Sequence, residues 1–488
     1  MKTKQPIIKF SAAFTLLLSF VFSAHANNLN ITGTSVSGAN ITFNISWDNS
    51  WNTNLAPNNW DAVWVFVKYQ DCATRLWAHA GLSTVSGDHS AGSPLQADAV
   101  ADGKGVFIRR SAIGGGNIGS TSITLKMTIP AGTYNYKVFG VEMVSVPQGS
   151  FALGGPGSET TKYNNIIVDA TSQSGGLSSA ILGGSSVALP NTFPMGYNAL
   201  YCMKYEISQL QYVDFLNTLT YPQQASRTDF DPISNGGHAF STQAAASYNN
   251  RNGIVVLTPG ANAATPAVYA CDLSAGIENN SDDGQNIACN FLSPADHKAY
   301  LDWAALRPMT ELEYEKICRG PLAAVAAEYA WGSTNITQVY NALANLVNDN
   351  TPTEVFTTVA NGRCTYAVNN ANVAYGPLRV GLFAEGATGR ESAGASYYGV
   401  MEMSGNVYEQ CINTRDAAGV AFTGAFGDGA LDVNGNANAP SWPTATGIAL
   451  RGGGWYGPAA QCRVADRNYS QWNNPTTRST EVGGRGVR

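Results

Sequence analysis

Charge is scarce in this chain. Only 13% of its 488 residues are Asp, Glu, Lys or Arg, and the formal net charge is -6. Without clustered Lys and Arg there is no electrostatic footprint for nucleic acid. Histidine is scarcer still, five residues in all, one of them His25 near the N-terminus. None of the eight cysteines stands in a C-x-x-C pair. A zinc site of the His/Cys kind, or an iron site of two histidines and a carboxylate, therefore has little to rest on. Long apolar runs are missing too. Beyond residue 26 no stretch is apolar for long enough to span a bilayer, which predicts a mature chain without a transmembrane segment.

What is present begins with an address. Lys2, Lys4 and Lys9 precede an apolar stretch from Ser11 to Phe22, and Ala24-His25-Ala26 follows. A basic start, a short apolar segment and a small-x-small site predict a secretory signal over residues 1–26. The mature protein is then periplasmic, on the cell surface or extracellular. Export puts the cysteines Cys72, Cys202, Cys271, Cys289, Cys318, Cys364, Cys411 and Cys462 in an oxidising setting, where an even count suggests disulfides. Cys271 and Cys289 bracket a polar stretch and are paired here on proximity alone. A hydrophobic content of 44% is ample for packed cores, so wholesale disorder is excluded.

Residues 27–140 read as short strands. Ile41, Phe43, Ile45 and Trp47 alternate with polar residues, while Val63-Trp64-Val65-Phe66-Val67 is an unbroken apolar run. With Val106–Ile108, Ile123–Met127 and Tyr134–Val138, separated by Gly/Asn/Ser-rich turns, they predict an all-β, sandwich-like domain. Asp48, Trp51, Trp60 and Trp64 either line a binding surface or serve as core aromatics.

From residue 143 onward the pattern mixes strands, capped helices and long Gly/Asn loops. Ser208 with Gln211, Ser293 before Pro294, and Thr310 with Glu313 each mark a helix start. Residues 170–190 read as a Ser/Gly-rich loop, and about 222–285 as a polar surface insertion.

Four segments in this region carry a resemblance. They are Met143 to Phe151; Arg307-Pro308-Met309-Thr310-Glu311-Leu312-Glu313-Tyr314-Glu315 with Cys318-Arg319-Gly320; Gly399-Val400-Met401-Glu402-Met403-Ser404-Gly405-Asn406-Val407-Tyr408-Glu409; and Leu450 to Trp455 with the closing Gly483-Gly484-Arg485. In this order they resemble the formylglycine-generating enzyme (sulfatase-modifying factor) family. The resemblance covers 143–488 and implies an α+β fold of the C-type-lectin-like kind, poor in regular structure.

It also implies a structural Ca²⁺, held by the Glu402 carboxylate, the Gly405 and Val407 carbonyls and the Glu409 carboxylate. Hard oxygen donors on loops suit that ion. The alternative is that both glutamates cap backbone NH groups or pair with arginines. A second calcium site of the family falls near Asn345 to Asp349, where the match is poor. The family's enzymes oxidise a substrate cysteine with O₂ through two cysteines that hold copper as a bis-thiolate, a ligand set Cu(I) selects. Counting from Gly453, those positions fall on Gly457 and Cys462, so half the pair is missing and copper chemistry is not expected. Counting back from Arg463-Val464-Ala465-Asp466-Arg467 instead puts Cys462 on a structural position. The resemblance then implies a disulfide from Cys318 to Cys462, with a lone reactive Cys462 as the weaker candidate.

Two functions remain. One is a non-catalytic binding or surface protein with an extracellular protein or glycan ligand. The other is an oxidoreductase of the family acting with O₂ on a protein cysteine or another substrate, for which His238 and His297 are the only histidines in the region available to iron.

Overall fold

A computed structural model describes residues 28–234, 237–240, 250–261, 265–274, 276–339, 346–358, 360–368, 375–384, 387, 389–472 and 474–488. The expected signal over 1–26 lies outside the described residues, as does Asn345 of the second calcium stretch. Among the described residues no helix is long and apolar enough to cross a membrane.

The N-terminal region forms a sheet in which Asn40–Asn52 lies between Asn30–Ser37 and Gly114–Thr128, with the short pairs Gly81–Leu82 and Ser90–Ala91 added to the latter. Alternation in Asn40–Asn52 has the expected outcome: Ile41, Phe43, Ile45 and Trp47 are buried and the residues between them are not. The second sheet has eight strands. Its path runs Arg307–Pro308, Gly486–Val487, Leu200–Met203, Tyr134–Val146, Asp61–Asp71, Val106–Arg110 and Leu95–Ala99, and Trp77–His79 pairs with Asp61–Asp71.

The unbroken apolar run in Asp61–Asp71 has a simple cause. Val63, Val65 and Val67 pack into a core shared with Ile41, Phe43, Ile45 and Trp47. Ala62, Trp64 and Phe66 point the other way, into a core shared with Leu301, Trp303 and Leu306. A strand covered on both faces needs no polar side. Trp64 is therefore core, and its Nε1 donates to the Ala304 carbonyl at 2.9 Å. Trp60 packs against the same core and donates to the Tyr201 hydroxyl at 2.9 Å.

Tyr134–Val146 ties the two regions together. It pairs with Asp61–Asp71 from Tyr134 to Val144, and with Leu200–Met203 from Met143 to Val146 on its other edge. One hydrogen-bonded strand thus runs through residues 140–143. At the far end of the same sheet, Cys202 and Arg307 both pair with Val487.

The three helix starts stand as expected: Gln209–Leu216, Pro294–Trp303 and Glu311–Arg319 each open on a reciprocal capping box. The reading of 170–190 as loop needs correction, because Ala170–Gly175 and Ser179–Leu182 are short helices. Their caps, Asp169 and Ser178, are the short polar residues that made the stretch read as loop. The polar insertion is also less superficial than expected. It contains a helix at Tyr221–Arg227 and a hairpin of Ile254–Thr258 with Val268–Cys271. Phe240, Ile254, Val256 and Tyr269 from this stretch enter the main core. The chain is an α+β protein, strand-rich with short helices.

Candidate functional site

The helix Glu311–Arg319 places Glu311 and Glu315 one turn apart on one face. Neither side chain is exposed, and each meets arginines from distant segments. Glu311 accepts from Arg451 at 3.0 Å and from Arg467 at 2.8 Å. Glu315 accepts from Arg451 and Arg319, both at 2.7 Å, and from the Gly154 NH at 2.7 Å. Burial opposes the charge on Glu311, but Arg467 and Arg451 outweigh it and hold its carboxyl below the usual range. Glu313 turns to Arg307 in a two-pronged contact of 2.9 and 2.6 Å. The charged residues of this motif therefore hold the fold, and none is free to react.

The ladder of Glu409–Ile412 with Ile448–Arg451 brings the segment 399–409 beside the glycines that follow Arg451. Its loop needs left-handed backbone at Glu402 (φ 53°), Gly405 (φ 87°) and Asn406 (φ 70°). A Cβ on Gly405 would stand 2.5 Å from Cys364 Sγ and 2.6 Å from the Thr365 carbonyl, so only glycine fits there. Asn406 spreads its amide between Glu206 Oε2 (2.5 Å) and the Leu378 NH (2.8 Å), and the Val407 NH reaches Glu206 Oε1 at 3.0 Å.

Glu402 and Glu409, the two carboxylates implied for Ca²⁺, are both buried. Glu402 Oε1 accepts from the Gly381 NH at 3.0 Å, and Glu409 Oε1 accepts from Arg485 Nε at 2.5 Å. One oxygen of each thus behaves as the capping and arginine alternative has it. The other oxygen of each, Glu402 Oε2 and Glu409 Oε2, is buried with no hydrogen-bond partner among the described residues. Glu206 lies close enough to both to feel their charge. Burial lifts the Glu402 carboxyl to about 7, and burial raises Glu409 against the pull of Arg485. Glu206 is raised well above its ordinary value, first by burial and then by Glu409. Three carboxylates share the field of Arg485, and two of their buried oxygens take no hydrogen bond among the described residues. Among the described residues no group of three His, Cys, Asp or Glu side chains is close enough to hold a metal. The implied set does not need one, since it uses two carboxylates and the carbonyls of Gly405 and Val407. The donors fit a hard cation.

The thiols differ from expectation. All eight cysteines are unpaired in this structure. Cys318 faces a core with Tyr314, Cys411 and Cys202, whereas Cys462 packs with Cys364, Tyr329 and Trp331. The expected Cys318–Cys462 bridge is therefore not made, because the two side chains enter different cores. Cys271 and Cys289 are neighbours in the main core, but Cys289 Sγ turns to the Asn290 carbonyl at 3.7 Å, and that expected bridge is not formed either. Gly457 supplies no thiol, and its NH donates to Glu481 Oε2 at 2.9 Å. Cys462 is wholly buried. What sequence reasoning missed is Cys364, which packs beside Cys462 in the same small core.

His238 and His297 are not brought into a common site. His297 sets its Nε2 3.1 Å from the Arg485 carbonyl, and burial pushes its pKa down to about 4. His238 pairs through its backbone with Val255, near Asp272.

A cleft of about 440 Å³ opens between the N-terminal sheets and the segment 389–401. Trp51, Tyr205, Tyr397 and Tyr398 supply its aromatic wall, and its polar residues include Asn49, Asn59, Lys204 and Arg390. Trp51 is held by its Nε1 donating to Asn59 Oδ1 at 3.1 Å, and the Arg390 guanidinium lies 5.6 Å from the Tyr397 ring. Of the four residues considered for a binding surface, Trp51 alone lines this cleft. Asp48 meets Asn28 instead.

The Sulfatase-modifying factor enzyme 1-like domain matches residues 135–488. The chain belongs to that family. No match to a curated protein accompanies the family match. In sulfatase-modifying-factor terms, the matched region begins inside the strand Tyr134–Val146 rather than after it.

Proposed function

We propose that this sulfatase-modifying-factor-like chain is an exported, non-catalytic binding protein with a C-type-lectin-like fold, and that its ligand is an extracellular glycan. The cleft carries this reading. Its volume is that of a small-ligand site, with a mainly apolar wall and a few polar groups at fixed places. Trp51 and Tyr397 supply aromatic surface for a sugar ring. A glycan screen on the full mature chain is the test. Trp51→Ala and Tyr397→Ala should each weaken the bound glycan by about tenfold or more. A glycan that binds both variants as tightly as the parent would remove the cleft from the account.

Calcium belongs to this proposal as a structural ion. Glu402 and Glu409, with the carbonyls of Gly405 and Val407, would hold it. It would supply the positive charge that the buried carboxylates lack and lock the loop behind the cleft wall.

A second reading, an oxidoreductase acting on a protein cysteine or another substrate with O₂, is favoured by one observation, the Cys364 thiol beside Cys462. It requires copper bound in stoichiometric amount and lost on Cys462→Ser.

A further inference from the structure

Cys364 closes the short strand Arg363–Cys364, and Cys462 closes the 3-10 turn Ala459–Cys462. The two are far apart in sequence, and both are fully buried. Their sulfurs share a box with few openings. Tyr329 and Trp331, stacked at 5.2 Å, close one side. Gly405 closes another, and Gly453 a third, where a Cβ would stand 2.6 Å from Cys462 Sγ. Ser404 holds the Cys462 main chain and the Cys364 thiol. Its Oγ donates to the Cys462 carbonyl at 2.7 Å and accepts from the Ala330 NH at 3.0 Å, and its carbonyl accepts from Cys364 Sγ at 3.2 Å. Each cysteine thus has its main chain held, Cys364 by its pairing with Gln338 and Cys462 by Ser404, and both side chains enter one small core.

We infer that Cys364 and Cys462 are joined by a disulfide in the mature exported protein. The pair closes a long loop and links the segment after the Arg451 glycines to the strand Arg363–Cys364, which is where a cross-link most restricts the unfolded chain. The oxidant is an external disulfide, as carried by thiol-oxidising proteins of export compartments. One cysteine, as thiolate, attacks that disulfide and displaces one of its thiols. The second cysteine then attacks the mixed disulfide and releases the other thiol. Two electrons and two protons pass to the external partner, which leaves as two thiols. Because neither sulfur is exposed in the folded chain, exchange takes place before the box closes, and the finished bond is sheltered from reductant. Burial and the neighbouring thiol both raise the Cys364 pKa, consistent with a sulfur that does not react once folded. The inference is independent of the glycan reading and assigns Cys462 a partner other than Cys318.

The test is peptide mapping of the full mature chain recovered from an oxidising compartment, alkylated under denaturing, non-reducing conditions. The expected result is one cross-linked peptide containing Cys364 and Cys462, lost on reduction, with Cys462 becoming alkylated in Cys364→Ser. In the native state a mild reductant should leave the link intact. The Cys364→Ser variant, whose hydroxyl fits the same space, should melt several degrees below the parent. Alkylation of both cysteines in the parent overturns the inference, and so does a Cys318–Cys462 peptide. One copper ion per chain, protecting both thiols until a chelator removes it, would overturn it in favour of a metal dithiolate. The mapping needs no ligand, so its failure is distinct from failure of the cleft.

Discussion

Arg485 donates from Nε to Glu409 Oε1 at 2.5 Å, between two side chains with no solvent exposure. The contact joins the third motif segment to the chain's closing residues. It leaves Glu409 Oε2 without a hydrogen-bond partner among the described residues, and the Arg485 guanidinium is shared with Glu206 and Glu402.

That imbalance sets a pH dependence. The Glu402 carboxyl is raised to about 7 by burial, above its ordinary value of 4.5. Between those two values the folded chain binds more protons than the unfolded one, so stability falls as pH rises. In calcium-free buffer the melting temperature should drop from pH 5 to pH 8. Added Ca²⁺ should restore it at pH 8 and do little at pH 5, and Glu402→Gln should flatten the profile. Thermal scans at several pH values with and without chelator check this; a profile that rises with pH would contradict it.

Glu409→Ala removes the partner of a buried arginine and one expected calcium donor together. The loss should be about 3–5 kcal/mol, most of it the cost of leaving Arg485 unpaired. Urea unfolding measures it, and calcium should no longer raise the melting temperature of the variant.

Arg451 bridges Glu311 and Glu315 and lies 4.8 Å from the Tyr314 ring. Arg451→Ala should cost about 3–5 kcal/mol for the same reason. Arg467 still holds Glu311, and Arg319 with the Gly154 NH still holds Glu315. Changing Arg451 and Glu315 together should cost less than the sum of the single changes, which a double-mutant cycle in urea reads directly.

Gly405→Ala asks for a Cβ at φ 87° and within 2.6 Å of both Cys364 Sγ and the Thr365 carbonyl. The chain should lose well over about 1 kcal/mol, since the strain and the clash add. Gly119→Ala, where a Cβ meets nothing within 4 Å, is the matched control and should be near neutral.

The sequence was most legible where a local rule acts alone. The capping boxes at Ser208, Ser293 and Thr310 are complete within four residues, so each helix start could be read without its surroundings. The alternation of Ile41, Phe43, Ile45 and Trp47 likewise records one covered face. The thiol pairing was not legible, because which core Cys318 and Cys462 enter depends on segments far away in sequence. Cys364 was read only as one of eight cysteines, with nothing around it in the sequence to name its neighbour. Glu206 carries no local signal in the sequence, because its burial beside Asn406 follows from a contact across 200 residues. Of the tryptophans near the start, periodicity could not separate Trp64, inside a strand buried on both faces, from Trp51, which lines the cleft.

The strand Tyr134–Val146 limits how such a protein can be re-engineered or can have evolved by exchange of parts. Modules are swapped at linkers, and here the place where a linker would lie is a hydrogen-bonded ladder. A different N-terminal module could not simply be spliced on. It would have to bring a strand in register with Tyr134 to Val144 and a new cover for the face that Trp64 and Phe66 now fill. The N-terminal sheets and the family domain should therefore be inherited as one unit.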